Sequence, residues 1–181
     1  SRKAMKKYTS NVKTLLCGVQ DSFQKKLIKK ARNGKIQIST FGTYEPRKGQ
    51  DILIKAIKIL PKNLRDLCDF NLHGRQHDIL FYNQLKILSK DLPNVFLNDD
   101  TMYLKNLLAA DLIVIPSREE PLSLVVIDAL INFKPLILSK NVGLSMYLKE
   151  NVSAFLVDKL SEKSLAEKII RAIKARGRHK E

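Results

Sequence analysis

The chain of 181 residues is long enough for one domain with a single substantial core, and its 44% hydrophobic and 28% charged residues suit a soluble globular α/β protein. No apolar run approaches the roughly 18 residues that span a bilayer, and Ser1-Arg2-Lys3-Ala4-Met5-Lys6-Lys7 leads into no apolar signal segment. The formal net charge of +15 sits at the ends: residues 1–35 hold eleven Lys/Arg against one acid, residues 168–181 hold six against one, and residues 36–167 are neutral.

A neutral centre with basic ends disfavours a nucleic-acid reader, whose basic stripe belongs on the fold itself. It fits ends that touch an anionic membrane surface or a partner domain, and equally a solvated tail without a role. Cys17 and Cys68 are far apart and lack CxxC spacing, as expected of two free thiols in a reducing cytoplasm. His73 and His77 stand four apart with no carboxylate or cysteine clustered with them, so no metal site is expected.

Residues 1–35 read as a basic connector and the remnant of an upstream domain, ending at the turn Asn33-Gly34. Ile36–Phe41 is a predicted strand stopping at Gly42, and Gly49–Leu60 a helix with Ile52, Leu53, Ala56, Ile57 and Leu60 on one face, ended by Pro61. Asp69–His73 is a second strand, followed by a helix through Ile79, Leu80, Leu85 and Leu88. A strand over Asn94–Leu97 and a helix over Met102–Ala109 come next, then the strongly apolar strand Asp111–Ile115. Leu122–Phe133 is a predicted helix whose apolar content nearly circles it, which predicts burial on several sides. Pro135–Leu138, Gly143–Lys149, Ala154–Val157 and Ser161–Ala175 complete strand, helix, strand and helix. Six βα units in succession imply a Rossmann-like parallel sheet with helices on both faces over residues 36–175, and 176–181 is a basic tail.

Ligands of such sheets bind beyond the carboxyl ends of the strands. The first post-strand loop, Gly42-Thr43-Tyr44-Glu45-Pro46-Arg47-Lys48-Gly49, combines a close backbone turn with two cations, and His73-Gly74-Arg75 repeats glycine followed by a cation. Ser117-Arg118-Glu119-Glu120-Pro121-Leu122-Ser123 leads into a helix whose free N–H groups and dipole favour a phosphate, by roughly 0.3–1 kcal/mol for the dipole. A charge-assisted bond from Lys48 adds about 1.5–3 kcal/mol. Glu120 stands just before that helix, and Asp128 is expected eight residues later, two turns along and on the same side, spaced to accept hydroxyls at separated points of one extended ligand. Asp128 lies in Val125-Val126-Ile127-Asp128-Ala129-Leu130, where a carboxylate must meet a partner or face a ligand cleft.

These stretches resemble the C-terminal domain of retaining glycosyltransferases with the GT-B fold, over about residues 36–174. Gly42–Asp51 is similar to that family's glycine–lysine–glycine loop, Pro116–Leu130 resembles its Glu-x7-Glu motif, and Lys134-Pro135 follows in place. Leu16–Asp21 is similar to the segment by which these enzymes enter their second domain. The resemblance implies transfer of a hexose from a nucleoside-diphosphate sugar, a UDP-sugar above all, to an acceptor hydroxyl with retention and without a metal or other cofactor. It assigns Lys48 and Arg47 to the donor diphosphate, the Ser123 and Leu124 N–H groups to the same phosphates, Glu120 to the transferred sugar and Asp128 to the ribose. Gly42, Thr43, Gly74 and Leu122 complete the donor-binding set, Gly74 by permitting close approach of the nucleotide, and Glu120 and Lys48 are the catalytic candidates. It also implies a missing N-terminal acceptor domain and a bacterial surface-glycan or lipid-linked acceptor. The location implied is cytoplasmic, with the basic ends at the inner face of the plasma membrane, and this fragment would bind nucleotide without turnover.

Thr43 stands where the family has arginine, Leu122-Ser123 where it has Phe-Gly, Asp128 where it has glutamate and Phe133 where it has glycine. Two alternatives therefore stay open: a degenerate, non-catalytic nucleotide-binding module of the same fold, and a nucleotide-sugar epimerase.

Overall fold

The computed structural model describes residues 34–99 and 102–177. Most of the basic connector, with Cys17, and the last four residues of the tail thus lie outside the described residues. The six strands are β1 (Ile36–Phe41), β2 (Cys68–His73), β3 (Val95–Asn98), β4 (Leu112–Ile115), β5 (Leu136–Ser139) and β6 (Phe155–Val157). Every neighbouring pair is parallel, so each connection crosses the sheet. The crossing helices are α1 (Gln50–Lys58), the short α2 (Lys62–Asp66), α3 (Ile79–Ser89), α4 (Tyr103–Ala109) and α5 (Leu124–Ile131), and α6 (Glu162–Gly177) closes the domain.

The sheet order is β3-β2-β1-β4-β5-β6. The chain winds outward from β1 to β3, then returns to lay β4 beside β1, in register at Ile38↔Leu112 and Ser39↔Ile113. At this reversal the loops leaving β1 and β4 lead to helices on opposite faces, the place where sheets of this kind form a ligand crevice at the carboxyl edge.

Strand alternation supplies both cores. Ile38, Phe70, Leu72, Val114 and Ile137 point to one face and pack with residues of α1, α3 and α6. Ile113, Ile115, Leu136, Leu138 and Leu156 point to the other and meet Leu107 of α4 and Val126 and Ala129 of α5. Each such side chain, fully buried, contributes roughly 1.5–3 kcal/mol, so the central strands hold the two crevice loops on a rigid base.

Three expectations are corrected. The helix predicted over Leu122–Phe133 runs only from Leu124 to Ile131 and is not enclosed: Val126 and Ala129 are buried, whereas Leu124 is 55% and Phe133 84% exposed. Its apolar circumference exceeds what one sheet face covers. The helix expected to end at Pro61 stops at Lys58, and the Pro61 carbonyl instead accepts from Leu64 and Arg65 to open α2. The segment expected as a helix over Gly143–Lys149 is a tighter 3₁₀ turn over Gly143–Tyr147.

Candidate functional site

The loop leaving β1 is anchored from within. Tyr44 is fully buried and its hydroxyl donates to the Leu72 carbonyl at 2.6 Å and the Asn98 carbonyl at 3.1 Å, tying the loop to the ends of β2 and β3. The buried Gln50 amide donates to the carbonyls of Gly42 (3.3 Å) and Thr43 (2.9 Å). Thr43 donates to Glu45 at 2.8 Å, and Arg47 donates to the same carboxylate oxygen at 2.9 Å. Burial raises the pKa of the Glu45 carboxyl, but the Thr43 hydroxyl and the Arg47 guanidinium more than offset that and hold it below its usual value.

The same loop is stitched to the one leaving β4. The Arg118 N–H donates to the Arg47 carbonyl at 2.8 Å, and its guanidinium grips Asp51 through two bonds of 2.8 and 2.7 Å. Arg47 donates to the Glu119 carbonyl at 3.2 Å. Lys48 forms an ion pair and hydrogen bond with Glu120, and Arg47 lies 3.5 Å from the same Glu120 oxygen. Gly49, at φ 70, has no room for a side chain: a Cβ there would lie 2.0 Å from the Pro116 carbonyl oxygen. Glycine is thus required by the approach of the two loops, before any ligand is considered.

Glu120 stands before the helix that carries Asp128. Pro121 biases Glu120 toward extended backbone, Glu120 bridges in parallel to Val142, and α5 begins only at Leu124 with Ser123 as its N-cap. The Ser123 side chain makes no capping bond, and the first N–H groups of α5 have no acceptor within the helix. Lys48, Arg47 and Glu120 thus converge on the loop that delivers Ser123 and Leu124, and Leu122, between Glu120 and Ser123 in the chain, is half-buried. Two cations face one carboxylate here, beside the positive end of a helix.

Next to this cluster opens a cleft of about 330 Å³ whose walls include Gly42, Thr43, His73, Gly74, Arg75 and Tyr103. Gly74 has a structural reason of its own: a Cβ there would lie 2.0 Å from the Gly42 carbonyl oxygen. Tyr103, which the sequence did not single out, donates from its hydroxyl to Asp128 at 2.7 Å, giving that carboxylate a partner in its apolar stretch. Burial, and then the hydrogen bond to Asp128, push the Tyr103 hydroxyl far above its usual range. Gln50, Asp51 and Arg118 were likewise not assigned; their signal is tertiary, because each acts on a loop 7 to 72 positions away in the chain.

A larger concavity of about 430 Å³ lies at the opposite, amino edge of the sheet, among Leu130, Phe133, Pro135, Val152 and Phe155. Lys134, Asn151 and Ser153 also line it, but no helix N-terminus does, so its size does not make it the anion site.

A family model described as glycosyl transferases group 1 matches residues 19–181. An uncharacterised glycosyltransferase of Methanocaldococcus jannaschii is 26% identical over 132 residues, which are 73% of this chain and 36% of that protein. Among solved structures, Anabaena HepE in complex with UDP-glucose is similar at 24% identity and a TM-score of 0.70, over 79% of this chain and 40% of that one. The C-terminal domain of the group 1 glycosyl transferase LpcC of Francisella tularensis is 20% identical with a TM-score of 0.69, over 87% of this chain and 88% of that one. The chain thus spans well under half the length of the curated relative and of HepE, and nearly all of the isolated LpcC domain.

Proposed function

Because the chain belongs to the glycosyl transferases group 1 family, we propose that it is the donor-binding half of an enzyme that moves a hexose from a nucleoside-diphosphate sugar to an acceptor hydroxyl with retention. The observation that carries this is the seam between the loops of β1 and β4: Lys48 and Arg47 gathered on Glu120, at the sheet's order reversal, three residues before the helix N-cap Ser123. On this reading Lys48, Arg47 and the Ser123 and Leu124 N–H groups hold the diphosphate, Glu120 accepts hydroxyls of the sugar, and Asp128 accepts those of the ribose.

The chemistry asked of this half is electrostatic. As the bond between the anomeric carbon and the diphosphate oxygen breaks, negative charge collects on the departing oxygen, and preorganised donors there lower the barrier. Lys48 is preorganised by Glu120, which holds the ammonium at the crevice; an arriving diphosphate replaces that carboxylate as its partner and leaves Glu120 to the sugar. The acceptor hydroxyl, which loses its proton as the new C–O bond forms, is assigned to the part of the enzyme outside these residues. This half therefore binds nucleotide without turnover.

UDP is the favoured nucleotide; HepE, similar in fold, holds UDP-glucose. No helix among the described residues is long and apolar enough to cross a membrane, and we place the protein on the cytoplasmic side of an anionic membrane that the basic ends touch. The degenerate-module reading draws on two observations: Lys48 is already paired with Glu120 and Thr43 with Glu45.

Calorimetric titration separates the two. Saturable binding of UDP or GDP, with UDP-glucose selectively weakened by Glu120→Gln while UDP is little changed, is the expected result. No heat from any nucleoside diphosphate at millimolar concentration would establish the degenerate module instead.

A further inference from the structure

We propose that Tyr103 is a positioning residue for nucleotide recognition: it fixes the Asp128 carboxylate for the ribose hydroxyls, so that the chain selects ribonucleotides through a tyrosine–aspartate pair. This rests on the donor-site reading above.

Asp128 carries a side chain one methylene shorter than the glutamate it replaces in the family pattern. A shorter carboxylate reaches less far from the helix, and it serves a ribose diol only if its orientation is set beforehand. Tyr103 supplies that orientation by donating to Asp128 Oδ2 at 2.7 Å. The phenol is itself held: its ring stands edge-on to Phe41, with centroids 5.4 Å apart and planes at 85°. Phe41 in turn stacks on His73 at 4.9 Å and 11°, and His73 Nδ1 lies 3.4 Å from the Asn106 amide. Phe41 and His73 close β1 and β2 at the carboxyl edge, and Tyr103 opens α4. The donor is thus fixed by the sheet through two rings and by α4 through the chain.

Position supports the same role. Tyr103, Phe41 and His73 all line the cleft beside the Lys48–Glu120 seam, together with Gly42 and Gly74. A nucleoside whose phosphates sit at the seam enters this cleft, where Tyr103 carries its hydroxyl to Asp128. A hydrogen bond to a charged acceptor is stronger than one between neutral groups and holds the short side chain in one orientation.

Tyr103→Phe removes the hydroxyl and keeps the ring. The test titrates the chain, this variant, Asp128→Asn and the double variant with UDP, 2′-deoxy-UDP and 3′-deoxy-UDP, following thermal unfolding of each protein alongside. The expected result is that Tyr103→Phe weakens UDP roughly five-fold and at least one deoxy analogue less than two-fold. Discrimination between ribose and deoxyribose then falls in both single variants, and Tyr103→Phe adds nothing on top of Asp128→Asn. Equal weakening of all three ligands by Tyr103→Phe, or unchanged discrimination, overturns the positioning role and leaves the donor site standing. Failure of all three ligands to bind the unaltered chain overturns the donor-site reading and this inference with it.

Discussion

The two edges of this sheet are made by the same six strands and have opposite characters. At the carboxyl edge, polar loops interlock through Arg118, Gln50 and Lys48, and glycines stand where backbones nearly touch. At the amino edge Phe133 and Val152 are more than 80% exposed, and two non-glycine residues, Phe133 and Asn151, lie at positive φ. The larger concavity is at the amino edge. Direction explains why the smaller one is the better anion site. In a chain of βα units each helix starts where a strand ends, so helix N-termini gather at the carboxyl edge and helix C-termini, with the opposite partial charge, at the other.

The contrast breaks most violently at a glycine. Gly49→Ala must fit a methyl against the Pro116 carbonyl at φ 70; strain and overpacking together should cost roughly 3 kcal/mol, read as a fall in the urea midpoint. A loss below about 1 kcal/mol would mean that the two loops are not packed as described. Lys48→Ala comes next. It should weaken UDP at least ~10-fold, or about 1.4 kcal/mol, whereas Arg171→Ala at the amino edge leaves UDP affinity unchanged; equal effects would erase the difference between the edges.

Alkaline pH probes the amino end of β2. Burial pushes the Cys68 thiol up to about 12 from 9.0. Between those values the unfolded chain gives up this proton and the folded one keeps it, so stability is whole below pH 9.0 and falls as pH rises toward 12. Urea midpoints measured across that window should fall less steeply for Cys68→Ala than for the unaltered chain; parallel slopes would remove Cys68 as a cause.

The smallest effect has the opposite sign. At the end of α5 the Lys134 N–H donates to Ala129 and the Phe133 N–H to Leu130, a terminating turn that favours glycine at position 133, where φ is 52. Phe133→Gly should stabilise by about 0.5 kcal/mol, the relief of left-handed strain partly offset by chain entropy. Alanine at Gly49 harms and glycine at Phe133 helps; a destabilised Phe133→Gly variant would give the aromatic ring a packing role.

The strands were legible because their signal is local. Leu112–Ile115 is apolar on both faces since the sheet is covered on both, and the glycine-bearing loops mark strand ends. The partners were not legible. Nothing near Lys48 in the chain says that Glu120, 72 residues away, will hold it, and Tyr103 reads as an ordinary aromatic at a helix start until β1 and α5 bring Phe41 and Asp128 beside it. The helix expected from Leu122 starts at Leu124 because Pro121 and Ser123 act on the backbone before periodicity does.

The most direct test follows backbone amides by NMR while UDP is added. If the seam and the start of α5 form one diphosphate site, the signals of Gly42, Lys48, Ser123 and Leu124 shift together along one saturation curve, and those of Phe133, Asn151 and Val152 stay still. Shifts confined to the amino edge, or movement at Lys48 without movement at Ser123 and Leu124, would contradict it.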